Sequence, residues 1–135
     1  MKIGEGFWDA IKFNDQGLIP AVIQDEKSGR VLTLCYLNKE ALKKSLEEWK
    51  VYVFRRSLNR LMLKGETSGH VQIIRRVEID CEGQSLLFHV KQEVAACHAG
   101  YFSCYHRRLA SAGTLALSEA KVFDPEKVYH GHSSH

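Results

Sequence analysis

Three cysteines are the residues best suited to chemistry in this chain: Cys81, Cys97 and Cys104. Six residues lie between Cys97 and Cys104, among them His98 and the chain-breaking Gly100 and Ser103. Cys81 stands sixteen positions before Cys97. Thiolates are strong ligands for zinc, and imidazole suits it too. Structural zinc sites draw on two close cysteine pairs, whereas here one loose pair accompanies one isolated cysteine. Three protein ligands leave a fourth tetrahedral position for water, which is the catalytic arrangement. The plainer reading is that free cysteines pack as small hydrophobes, and Cys35, inside the apolar run Val31–Leu37, fits it. The polar neighbours Asp80, Glu82, His98 and Ser103 set the other three apart and favour a metal.

Two further groups could act. Asp80 and Glu82 flank Cys81. In an extended chain they project to one face and Cys81 to the other, and paired carboxylates suit a hard cation such as Mg²⁺. Taken alone, the pair reads as a polar strand end. The loop Lys64-Gly65-Glu66-Thr67-Ser68-Gly69-His70 sets a cation, two hydroxyls, a histidine and two glycines side by side. Glycines let backbone N–H groups close on a phosphate. The spacing is not that of a Walker loop, and the density of polar groups favours a site over an ordinary hairpin loop. Arg55, Arg56 and Arg60 lead into it. His89 reads as a strand histidine, and His130, His132 and His135 as part of a disordered tail.

The elements that position these groups are legible from periodicity. Leu18–Asp25 and Val31–Leu37 read as a hairpin about the turn Lys27–Arg30, the second strand apolar on both faces and so central. Asn38 can cap a helix running to Trp49, with Leu42, Leu46 and Trp49 on one face. Strands are expected from Val51, over Arg60–Lys64, over Val71–Asp80 and over Ser85–Gln92. The Val71–Asp80 strand should show Val71, Ile73, Arg75, Val77 and Ile79 on one face. The fold class is α+β, mainly antiparallel sheet with one clear helix. The 135 residues fit one domain, with 110–135 a weakly patterned tail. A 44% hydrophobic content excludes wholesale disorder, and no apolar run is long enough for a membrane helix. With no signal peptide visible, the expected location is cytoplasmic. The net charge of +3 does not announce nucleic acid.

As an ordered set these motifs carry a resemblance. Gly17–Asp25, the strand ending Tyr36-Leu37-Asn38, Lys64–His70, Asp80-Cys81 and Ala96-Cys97-His98 with Ser103-Cys104 follow one another in a chain that resembles phosphoribosyl-AMP cyclohydrolase from about residue 7 to 109. The resemblance implies an intertwined homodimer that hydrolyses the N1–C6 bond of 1-(5-phosphoribosyl)-AMP in histidine biosynthesis. It implies one zinc per chain, held by Cys81 of one subunit with Cys97 and Cys104 of the other. His98 and His70 become the proton carriers. Arg56, Ser57, Lys64, Gly65, Glu66, Thr67, Ser68 and Gly69 become the substrate-binding residues. A magnesium site of three aspartates falls on Asp80, Glu82 and Gln84. One formal charge is lost there, so a weaker Mg²⁺ requirement is expected. Leu58 and Met62 stand where the family carries an arginine and a tryptophan. A related zinc hydrolase acting on another purine nucleotide is a second reading, suggested by those altered positions. A non-catalytic, zinc-stabilised nucleic-acid-binding module is a third, opposed by the mild charge and the unpaired cysteines. The expected partners are the nucleotide and a second copy, with neither nucleic acid nor membrane.

Overall fold

The computed structural model describes residues 3–55, 57, 60–64, 71–92 and 102–118. Its centre is a four-stranded sheet of order β2-β1-β6-β5, with β1 Ile19–Asp25, β2 Val31–Leu37, β5 Ile73–Ile79 and β6 Leu86–Lys91. β1 and β2 form the expected antiparallel hairpin, and β5 pairs antiparallel with β6. The two central strands, β1 and β6, run parallel, which periodicity could not reveal. β2 is an edge strand rather than a central one. Helix α2 (Lys39–Glu48) packs beside it, as does the hairpin of β3 (Tyr52–Arg55) and β4 (Arg60–Leu63) through β3; Leu32 and Leu37 are buried, whereas Leu34 stays 42% exposed.

Local chemistry explains the elements. The Asn38 side chain accepts the Ala41 N–H at 2.8 Å and starts α2, and Trp49 in a left-handed conformation ends it. Leu42 and Leu46 enter the core with Ile19, Ile23, Leu32, Leu37, Phe88 and Val90. The expected face of β5 is corrected. Register slips between Ile74 and Arg76, so Arg75 is an extra residue that switches the alternation. Ile74 and Val77, opposite Val90 and Phe88, therefore share the core side, while Arg75 is exposed.

Two elements lie outside the sequence reading. A short helix α1 (Glu5–Ala10) has no side-chain cap at Gly4. A hairpin of β7 (Arg107–Leu109) and β8 (Leu115–Leu117) occupies the start of the expected tail. Leu109, Leu115 and Leu117 are strongly exposed on it. Among the described residues no helix is long and apolar enough to cross a membrane.

Candidate functional site

The segment around Cys104 runs along the outer edge of β2. Cys104 N–H donates to Leu32 O at 2.7 Å. The buried Ser103 hydroxyl donates to Val31 O at 2.6 Å and accepts the Tyr105 N–H at 2.9 Å. The Arg30 guanidinium donates to Tyr105 O, and the Gln92 amide donates to Phe102 O at 2.9 Å. Four consecutive residues are thus tied down by main-chain or side-chain bonds. Cys35, on β2, is close enough to feel both Cys104 and Lys64. Burial pushes the Cys35 thiol up to about 11, the Lys64 charge opposes that, and Cys104 adds to it. Cys35 is therefore a neutral packing thiol at ordinary pH, and Lys64 and Cys104 lie on its side of the fold.

Cys81 sits elsewhere. It follows β5, at the opposite edge of the sheet from β2, and is exposed. The Asp80–Ser85 stretch is a turn and not the extended chain expected for an Asp80/Glu82 face. Gly83, with φ +71, permits it. The Asp80 carboxylate closes the turn. It accepts from Gln84 N–H at 2.8 Å, Glu82 N–H at 3.2 Å and the Ser85 hydroxyl at 2.8 Å. Those bonds, that of Gln84 foremost, hold its carboxyl below the ordinary aspartate value. Glu82 and Gln84 are exposed on this turn.

The spacing of strands gives the separation. Three strand gaps of roughly 4.8 Å put β5 about 14 Å from β2 across the sheet, and Cys104 lies beyond β2. Two thiolates on one zinc, each about 2.3 Å from the metal, stand only about 4 Å apart. Cys81 and Cys104 of one chain therefore do not converge, and among the described residues no three His, Cys, Asp or Glu side chains do.

The phosphate-binding candidates are also divided. Ser57 is exposed at the β3–β4 turn, beyond the paired Arg55 and Arg60. Lys64 lies at the other end of that hairpin, its N–H on Val51 O at 2.8 Å. Arg56, Gly65 to Gly69, His70, Cys97 and His98 lie outside the described residues. An open cavity of about 650 Å³ borders the Cys104 segment, lined by Asp25, Glu26, Lys27, Lys91, Gln92 and Phe102. Among the described residues, none of those expected in the site lines it. Gln72 and Gln92, which the structure buries beside this segment, carry no spacing signal. Only their adjacency to the glycine loop and to the Cys97 segment could have marked them.

Comparison with known proteins supplies the context. A family model described as Phosphoribosyl-AMP cyclohydrolase matches residues 33–106. A phosphoribosyl-AMP cyclohydrolase of Chlorobium phaeovibrioides is 42% identical over 94% of this chain and 93% of its own length. One from Pelotomaculum thermopropionicum is 46% identical over 90% of this chain and 94% of its own. The histidine biosynthesis bifunctional protein HisIE of Thermoanaerobacter pseudethanolicus is 50% identical over 93% of this chain, which spans only 57% of that longer protein.

Proposed function

The chain belongs to the phosphoribosyl-AMP cyclohydrolase family, and on that premise we propose that it opens the purine ring of 1-(5-phosphoribosyl)-AMP by hydrolysing the N1–C6 bond. It is an enzyme of hydrolase type, as its relatives' names state, and the name of the bifunctional relative places the step in histidine biosynthesis. The observation that carries the reading is the length of the match, which runs over nine-tenths of this chain and of its single-function relatives.

Cys81, Cys97 and Cys104 are the donor set for zinc, three sulfurs of the kind that metal prefers. The placement of Cys81 and Cys104 at opposite sheet edges supports a site completed by two copies of the chain. One copy gives Cys81 and the other Cys97 and Cys104. Zinc, when bound, supplies an activated water. The chain's own side chains do the rest. His98, next to Cys97 in sequence, takes the proton released during attack and returns it to the departing ring nitrogen, and His70 is the second proton carrier. The substrate has a phosphate on each of its two ribose units. The two ends of the β3–β4 hairpin answer that: Ser57 at the tip, with Arg56 next to it in sequence, for one, and Lys64 at the base, with residues 65–69 following it in sequence, for the other. Mg²⁺ at Asp80, Glu82 and Gln84 has to share the Asp80 carboxylate with three turn donors, so its hold is weak.

The test is an assay on phosphoribosyl-AMP, followed by the ultraviolet change of ring opening, with and without chelator. Turnover should vanish on chelation and return with zinc. Absence of turnover in zinc-loaded protein overturns the substrate. Full activity in a metal-free Cys97→Ser protein overturns the metal.

A further inference from the structure

Gln72 and Gln92 are 1% and 7% exposed, buried at the two strand ends that lead into the expected site. Gln72 stands two positions after His70 and directly before β5; Gln92 follows β6, five positions before Cys97. Gln92 Nε2 donates to Phe102 O at 2.9 Å. A main-chain carbonyl can only accept, so this bond fixes which end of the Gln92 amide faces Phe102. Its Oε1 is thereby turned to Gln72, whose Nε2 donates to it. The relay has one direction, and it ends in an open acceptor, since Gln72 Oε1 has no partner among the described residues. An unpaired buried carbonyl weakens a fold, and an apolar pair of the same shape would avoid it.

We propose that Gln72 and Gln92 are positioning residues: their amide relay clamps the Phe102–Cys104 segment to the strand ends that enter the glycine loop and the Cys97-His98 segment. Ser103 and Cys104 complete the clamp on the β2 edge. Gln92 and Phe102 also border the open cavity. Only the activity arm of the test rests on the proposed reaction.

The three described cysteines report on the clamp independently of activity. In chelator-treated, full-length protein, alkylation rates of Cys35, Cys81 and Cys104 are read by peptide mass mapping for wild type, Gln92→Met and Gln72→Met. Loss of one hydrogen bond should raise the Cys104 rate about tenfold in Gln92→Met, and by less in Gln72→Met. Exposed Cys81 and half-buried Cys35 should keep their wild-type rates. On phosphoribosyl-AMP, kcat of Gln92→Met should fall about tenfold with KM nearly unchanged. An unchanged Cys104 rate overturns the proposal. So does a parallel rise at Cys35, which marks global opening, or failure of both variants to fold, which would make the pair part of the fold's support. If wild type shows no turnover, the proposed reaction fails, and the cysteine rates still decide the clamp.

Discussion

The Asp80 carboxylate spends its lone pairs on its own turn, and that has a pH signature. Its folded value lies below its unfolded one because Gln84 N–H, then the Ser85 hydroxyl, bond the ionised form. The stabilisation is present above the unfolded value and fades as pH falls through the folded one. Asp80→Asn should therefore show a flatter loss of stability on acidification below about pH 4 than wild type, read by circular dichroism. Identical acid curves would remove Asp80 from the support of the turn. Gln84→Asp keeps the Gln84 N–H bond and adds a carboxylate, so Mg²⁺ should bind more tightly; calorimetric titration giving the same affinity counts against a cation on this turn. The sequence marks Asp80, Glu82 and Gln84 as a group. It does not show the turn that disperses them, because that depends on Gly83 adopting a positive φ.

Elements reveal themselves where the cause is local. Asn38 and the Leu42–Leu46 spacing are enough to place α2, and Asn38→Ala should lower stability by about 1 kcal/mol. Other features need a distant partner. The bulge at Arg75 is invisible in a run that alternates well on paper, and it emerges only from pairing with β6. The edge position of β2 hides behind apolar residues on both faces, since α2 and β3 pack on it and Ser103 and Cys104 bond along its outer edge, while Leu34 stays exposed. Gly83 is the sharpest case. A Cβ there would lie 1.9 Å from Ala10 O, so the β5–β6 turn has docked on the end of α1. Lys12 N–H seals this dock on Gly83 O at 2.7 Å. Gly83→Ala combines a backbone clash with a left-handed φ and should cost about 3 kcal/mol, seen as a lower urea midpoint. An unshifted midpoint would mean that α1 lifts away freely.

At the scale of the whole molecule, the proposed site is one that only assembly would complete. Cys81→Ser protein and Cys97→Ser/Cys104→Ser protein should each be inactive. Mixed by subunit exchange, about half the dimers are hybrids with one intact site of two, so about a quarter of wild-type activity should return. Confirmed exchange with no recovery would place all three ligands in one chain. The parallel pairing of β1 with β6 bears on how such a molecule comes to exist at all. Everything from Glu26 to Ser85 must be made before β1 can gain its second neighbour. At the ribosomal pace of roughly 5–20 residues per second, β1 waits several seconds with one edge unpaired. A fragment ending at Asp80 should therefore give a largely coil-like circular dichroism spectrum. In the cell, that interval is when the nascent chain is most exposed to aggregation and chaperones have most to protect.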